Sequence, residues 1–278
     1  MTVPTLVVCG TLTRDTIERG RVVHREIPGG SALYASAAAA GRAPVRMLGT
    51  VGTDFPAEVM ETLASRGIDT TAVERLEGPT FRWHAVYDPA GGARETRLRD
   101  RGVAEGRLPP VPPPPRGRYA VLLGSTHPEV QTHVRIGHPE AALVGLDSMA
   151  HWWRSHPVLL QALLARIDVL FVDEEELRLA TGTTEEALGV ARLQAAGPAV
   201  VVLKRGAAGA TLWRRGGAPR SVAAVPPPQV VDTTGAGDAF AGALLTALLS
   251  GDSDDAAMQV AALRASQAIA GVGITGLL

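Results

Sequence analysis

Val230-Val231-Asp232-Thr233-Thr234-Gly235-Ala236-Gly237-Asp238-Ala239-Phe240 is the stretch on which the reading of this chain turns. An apolar pair leads into an acid, two hydroxyls and two glycines flanking an alanine. A second acid follows, at the head of an apolar run from Asp238 to Leu249 that reads as a helix. Glycines just before a helix let backbone N–H groups converge without Cβ obstruction, and the helix N-terminus adds partial positive charge. The stretch is therefore an anion cradle. Asp238 sits where the cradle becomes helix. Its carboxylate either caps that helix, or takes a proton from an attacking hydroxyl, or helps to hold a metal beside a bound phosphate.

Outward from this point, apolar strands alternate with helices. Toward the N-terminus lie strands at Leu6–Gly10 and Val45–Val51, with helices at Ala32–Gly41, capped by Ser31, and at Pro56–Ser65. Beyond the proline-rich connector 109–115 come strands Tyr119–Gly124, Leu143–Asp147, Val169–Val172 and Ala199–Leu203. Helices are predicted between them at 129–136, 157–165, 174–180 and 185–195, and a short antiparallel pair at Thr211–Trp213 and Ser221–Val225. Helices Asp238–Leu249 and Asp254–Ala270 close the chain. This alternation indicates an α/β fold with a largely parallel sheet. Two segments stand apart. Residues 16–27 are short, polar and β-branched, and Phe81–Tyr87 alternates with period two before a turn at Asp88–Gly92 and a return at Arg94–Arg99. Together they make a small β layer, one-sided, which an active-site mouth or a second subunit would cover.

In a parallel α/β sheet, ligands bind at the carboxyl ends of the strands. Five polar or glycine-rich features fall on that edge: Asp15, Asp147, the acids Asp173-Glu174-Glu175-Glu176, the turn Lys204-Arg205-Gly206-Ala207-Ala208-Gly209, and Asp238. The acid run either complements a helix dipole, or places Glu176 and Asp173 to order Mg²⁺ waters around a nucleotide. The spacing of Gly206 and Gly209 is either a plain turn or a close approach of backbone to nucleotide, with Lys204 or Arg205 near its phosphates. No Walker A pattern is present, which excludes P-loop chemistry. His151-Trp152-Trp153 reads as core or rim packing.

Composition narrows the classes. The 278 residues are 46% hydrophobic and 20% charged with a formal net charge of -1, long enough for a substantial core and without an electrostatic case for nucleic acid or an anionic membrane. Lys204 is the only lysine and Cys9 the only cysteine, the latter a buried thiol of a reducing compartment. No basic leader precedes an apolar segment and no run of about eighteen apolar residues occurs, so the expected location is the cytoplasm.

The segment Asp232–Phe240 resembles the C-terminal signature of the PfkB (ribokinase-like) carbohydrate kinases, and Gly29-Gly30 through Gly49-Thr50-Val51-Gly52-Thr53-Asp54-Phe55 is similar to their other signature. The likeness runs in order along nearly the whole chain. It implies a three-layer α/β/α ribokinase-like fold over residues 1–278, with a lid formed by insertions at about 13–28 and 79–103. It implies that Asp238 is the general base that takes the proton of the acceptor hydroxyl as it attacks the γ-phosphate of ATP. Gly235, Ala236 and Gly237 would be the anion hole. Asp15, Gly29 and Gly30 would hold the acceptor, with Tyr34, Arg97 and Arg99 nearby. Asp173, Lys204, Gly206 and Gly209 would meet the nucleotide, and Glu176 would hold Mg²⁺ through water. Asp232 and Thr234 fall where many members bind a monovalent cation, which makes K⁺ a candidate beside ATP and Mg²⁺. The lid is also the candidate surface for a homodimer.

The departures from the family pattern are specific. Tyr34 stands at the usual Asn, Asp173 replaces the Asn of Asn-x-x-Glu, and Lys204 occupies a position often held by Thr. The layout is similar to an outlying branch that includes plant-type inositol kinases. The expected acceptor is a cyclitol, a nucleoside or an unusual sugar, rather than ribose or fructose 6-phosphate. Two other readings compete with this one. A catalytically inactive nucleotide- or sugar-binding sensor would share the fold, and the intact Gly235–Asp238 stretch argues against it. An NAD-dependent oxidoreductase needs a glycine fingerprint after the first strand, which Gly10-Thr11-Leu12-Thr13 does not provide.

Overall fold

The computed structural model describes residues 3–87 and 94–278, so the turn predicted at Asp88–Gly92 lies outside the described residues. The N-terminal part runs β1 (Thr5–Cys9), β2 (Thr13–Arg19), β3 (Val22–Gly29), α1 (Ser31–Ala39), β4 (Val45–Gly52), α2 (Ala57–Ser65), β5 (Ile68–Asp69), β6 (Val73–Leu76), β7 (Phe81–Tyr87) and β8 (Arg94–Asp100). After the proline-rich connector come β9 (Tyr119–Leu123), α3 (Pro128–Gly137), β10 (Leu143–Asp147), α4 (Ala150–Ser155), α5 (Pro157–Leu164), β11 (Val169–Asp173), α6 (Glu174–Thr181) and α7 (Glu186–Ala196). The chain ends with β12 (Val200–Lys204), β13 (Ala210–Arg214), β14 (Arg220–Val222), α8 (Ala236–Leu249) and α9 (Asp254–Ile269).

The large sheet has the order β14-β13-β12-β11-β10-β9-β1-β4-β5, with β6 also paired to β4. Its strands from β12 to β5 run parallel; β13 and β14 are antiparallel at one edge. The strands are apolar on both faces because helices cover both. Leu6 and Val8 of β1 join the cluster under α1, α8 and α9, whereas Val7 and Cys9 join the one under α3, α5, α6 and α7. Three layers, helix on sheet on helix, result.

A second sheet of four strands has the order β3-β2-β7-β8, with β2 and β7 parallel and the outer pairs antiparallel. The two segments that stood apart in sequence thus form one small sheet. Asp54, just past β4, anchors it: its carboxylate accepts from Arg14 of β2 (3.0 Å), Arg82 of β7 (3.0 Å), and the Thr80 amide (2.7 Å) and hydroxyl (2.6 Å).

Four details differ from the sequence reading. Asp15 lies within β2 rather than in a loop after β1, because β2 begins at Thr13. Ser31 is the first residue of α1 and not its cap; Gly30 is the N-cap, and the Ser31 hydroxyl instead accepts from the Thr11 amide (3.0 Å) and donates to the Ser125 carbonyl (2.9 Å). The two-residue β5 and four-residue β6 are too short for any periodicity to mark them. His151-Trp152-Trp153 lies on a short helix, α4, where no helix was predicted, although Trp153 packs in the core as the sequence reading expects.

Candidate active site

The carboxyl ends of β10, β11 and β12 and the start of α8 open onto one cleft, and the small sheet forms its opposite wall. Gly235 turns the chain into α8 with φ 76° and ψ 0°, a left-handed conformation that an L side chain adopts only under strain. A Cβ at this position would also overlap the ring of Tyr34, which is 1% exposed. Both the dihedral and the contact therefore require glycine. Gly235, Ala236, Gly237 and Asp238 all line the cleft, so the N-terminus of a 14-residue helix faces it with its unsatisfied N–H groups.

Behind this turn, the Asp232 carboxylate accepts from the Thr234 amide (2.9 Å) and hydroxyl (2.7 Å), and the Thr234 hydroxyl meets the Tyr87 hydroxyl at 2.8 Å. This chain of hydrogen bonds ties the small sheet to the glycine turn. The second Asp232 oxygen, Oδ2, is buried without a partner among the described residues, as is the Tyr34 hydroxyl. Burial, and next the Asp232 charge, hold the Tyr34 phenol well above its ordinary value. Asp232 lies outside the main cleft and lines the cavity beside it, with Arg19, His24 and Tyr87.

Asp15 enters the cleft from β2, where the buried positions Thr13, Asp15 and Ile17 alternate with half-buried ones. Gly29 of β3 makes room for it: a Cβ there would overlap the Asp15 carboxylate. Burial pushes the Asp15 carboxyl up from 3.8 to about 7, with the Thr13 hydroxyl opposing and the charges of Asp232 and Asp238 adding to the rise. The same wall carries an aromatic group that the sequence reading did not bring together. Phe81 and Trp83 of β7, Met149, and Trp152 of α4 line this part of the cleft, and the Arg101 guanidinium lies 5.7 Å from the Trp152 ring centre.

At the other end are the charged groups. The Lys204 ammonium donates to Asp147 Oδ1 at 2.6 Å. Asp173 and Glu176 form a reciprocal cap on α6: the Glu176 amide donates to Asp173 (2.8 Å), and the Asp173 amide donates to Glu176 Oε2 (3.0 Å). The dipole reading and the site reading of this acid run are therefore compatible, because the capping pair also lines the cleft. Burial pushes Glu176 up to about 8, with Lys204 opposing and the Asp173 and Asp147 charges adding to the rise.

The cleft thus brings together Asp15, Gly30, Tyr34, Arg99, Asp173, Glu176, Lys204, Thr234 and the run Gly235–Asp238. Gly29 sits behind Asp15. Arg97 does not join them; it is exposed and pairs with Glu18 (3.3 Å). Gly206 and Gly209 belong to the turn between β12 and β13, outside the lining, and a Cβ at Gly209 would overlap the Val222 carbonyl, which is a structural demand of the strand edge. Arg205 is turned away toward Glu186 (2.5 Å).

A family model described as pfkB family carbohydrate kinase matches residues 146–277. The cytidine kinase of Thermococcus kodakarensis is 30% identical over 250 residues, covering 86% of this chain and 87% of that one. The structure of a Burkholderia thailandensis nucleoside kinase in complex with inosine aligns with a TM-score of 0.81 at 20% identity, over 96% of this chain and 92% of the other. That of Arabidopsis thaliana ribokinase complexed with ribose and ATP aligns with a TM-score of 0.77 at 24% identity, over 99% and 96%. The two structural likenesses establish the ribokinase fold, and the near full-length relationship at 30% identity establishes descent. The chain belongs to the pfkB family of carbohydrate kinases and is a kinase of the sugar or nucleoside class.

Proposed function

We propose that the protein transfers the γ-phosphate of ATP to a hydroxyl of a nucleoside, with Asp238 as general base. The observation that carries this reading is the composition of the cleft. An aromatic wall of Phe81, Trp83 and Trp152 stands in the same cavity as the buried acid Asp15 and the anion cradle with Asp238. Aromatic faces suit a nucleobase, which stacks on them in proportion to its π-surface. A free sugar or cyclitol would present hydroxyls to that wall and leave them without partners. The cytidine kinase and nucleoside kinase relatives support the same choice.

In this mechanism Asp15 accepts hydrogen bonds from sugar hydroxyls and fixes the acceptor. Asp238 receives the proton of the attacking hydroxyl as the new oxygen–phosphorus bond forms and the bond to the β-phosphate breaks. The N–H groups of Gly235, Ala236 and Gly237 stabilise charge on the transferring phosphoryl oxygens. The small sheet serves as a lid that excludes water, its closure tied to the cradle through Tyr87 and Thr234. Glu176 and Asp173 offer hard oxygen donors suited to a magnesium ion that keeps several waters and neutralises the phosphates. The unpartnered Asp232 Oδ2 fits a monovalent cation behind the cradle.

Purified protein with Mg²⁺-ATP and a panel of nucleosides, sugars and cyclitols tests the reading. Nucleosides are expected to drive ADP formation, and Asp238→Asn is expected to lower kcat on the order of 10³-fold with the fold intact. Turnover confined to cyclitols or free sugars would overturn the acceptor class, and calorimetric binding without turnover would overturn the kinase reading in favour of a sensor.

A further inference from the structure

Lys204, the only lysine of the chain, is placed where its chemistry is most consequential. It ends β12, in register with Asp173 of β11, and Asp147 ends β10 on the far side of β11. The side chain reaches across the intervening strand to Asp147, making a 2.6 Å ion pair. On the way it passes the start of α8: a Cβ at Gly237 would lie 3.1 Å from Nζ and 3.9 Å from both Cδ and Cε. The ammonium and the first N–H groups of α8 therefore converge on one point of the cleft, and Gly237 lacks a side chain that would separate them.

Two further facts bear on its role. An ammonium has three donors, and Asp147 is the one hydrogen-bond acceptor that Lys204 has among the described residues. Two N–H groups remain on a side chain that lines the cleft. Moreover, the acids Asp147, Asp173, Glu176 and Asp238 share this part of the cleft with a single ammonium. An incoming triphosphate brings its own negative charge beside them, so a fixed cation at the cradle has a large electrostatic effect.

We propose that Lys204 is a catalytic residue, whose ammonium donates to a non-bridging oxygen of the phosphoryl group in transit, and that Asp147 is the positioning residue that holds it there. The proposal rests on the kinase reading above. In the step it serves, the acceptor oxygen bonds to phosphorus while its proton passes to Asp238. The bond from phosphorus to the bridging oxygen breaks, and that electron pair leaves with ADP. Lys204 keeps its proton throughout and contributes only charge and hydrogen bonds. It works from the side of the anion hole opposite the acceptor, complementing neutral backbone donors with a full positive charge.

The test compares wild type with Lys204→Met, Lys204→Arg, Asp147→Asn and the double variant Lys204→Met/Asp147→Asn, using full-length protein, Mg²⁺-ATP and the best acceptor of the panel. Loss of one preorganised donor costs on the order of 10²-fold in kcat, and Lys204→Met is expected to lose at least that while the KM for the acceptor stays within about threefold. Lys204→Arg is expected to recover about tenfold of the loss, because charge returns with altered geometry. The double variant removes the unpaired buried carboxylate and so protects the fold, with a melting temperature near wild type, yet its kcat is expected to stay as low as that of Lys204→Met. If the double variant regains wild-type kcat, Lys204 is only the counter-ion of Asp147 and the proposal falls. Calorimetry separates this failure from that of the kinase reading. Lys204→Met is expected to bind the β,γ-imido analogue of ATP at least tenfold more weakly than wild type and ADP equally well. Equal affinity for the analogue overturns the phosphate contact whether or not the wild type turns over.

Discussion

Replacing Asp15 by Asn should stabilise the protein at neutral and alkaline pH, and the magnitude follows from where the carboxylate sits. Asp15 is 2% exposed, with one oxygen lacking any partner among the described residues, and its carboxyl is raised from 3.8 to about 7, chiefly by burial. The folded chain thus binds the proton more tightly than the unfolded one. The stability associated with this group is complete below about pH 4 and is lost progressively as pH rises toward about 7, above which the penalty is constant. A tenfold change in proton affinity is worth ~1.4 kcal/mol, so the full effect has a ceiling of roughly 4 kcal/mol. Water entering the open cleft reduces it, and we expect 2–4 kcal/mol, or on the order of 5–10 °C in melting temperature for a chain of this size. The assay is a pair of melting series, wild type and Asp15→Asn, from pH 4 to pH 8.5. The other titrating groups cancel in the difference between the two. The expected outcome is a gap that opens with pH and favours the variant, joined by weaker acceptor binding. A gap of equal size at pH 4.5 and pH 8, or a variant less stable at pH 8, would refute the reasoning, because either result means that the buried charge carries no penalty.

Two other substitutions probe the cradle and the anchoring of the small sheet. Gly235→Ala forces a Cβ into the Tyr34 ring at φ 76°, a left-handed strain of ~1–2 kcal/mol before the overlap is counted. Steady-state kinetics and melting should show at least a 10²-fold drop in kcat together with lowered stability. Asp54→Ala removes the acceptor shared by Arg14, Arg82 and Thr80 and should destabilise by about 2 kcal/mol. Burial alone would raise the Asp54 carboxyl, but the Thr80 hydroxyl and amide and the two arginines outweigh it and hold it well below the usual carboxylate range. The stability it contributes is therefore present above about pH 4 and fades as pH falls. Hydrogen exchange at pH 7 should quicken in β2 and β7 and stay unchanged in β9 and β10; uniform quickening would mean that Asp54 supports the whole fold instead.

Much of the architecture was legible in the chain because it is written in local patterns. Apolar runs such as Val169–Val172 and Val200–Leu203 are buried on both faces of a parallel sheet, and the helices between them show their own period, so α/β alternation could be read residue by residue. The cradle at Gly235–Asp238 was legible for the same reason: a helix start and the glycine that permits it are neighbours in sequence. Phe81–Tyr87 likewise declared itself a strand by alternation. The cleft that Phe81 and Trp83 line, however, is shared with Trp152, about seventy positions away, and no pattern links them. Gly209 is a second case: its spacing left a plain turn and a nucleotide contact both open, and only its surroundings show a glycine needed beneath the Val222 carbonyl. Asp15 read as a residue of the large sheet's carboxyl edge, and only the pairing of β2 with β3 shows it enclosed beneath Gly29. The Asp147–Lys204 pair spans 57 positions and depends on the strand order β12-β11-β10, which neither residue encodes. The sequence by itself thus determined the fold class and the glycine turn that opens α8, because backbone conformation, periodicity and helix starts are short-range properties. The tertiary structure alone decided which side chains share the cleft, how strongly burial shifts their proton affinities, and which of them lie apart, because those depend on contacts between strands far apart in the chain.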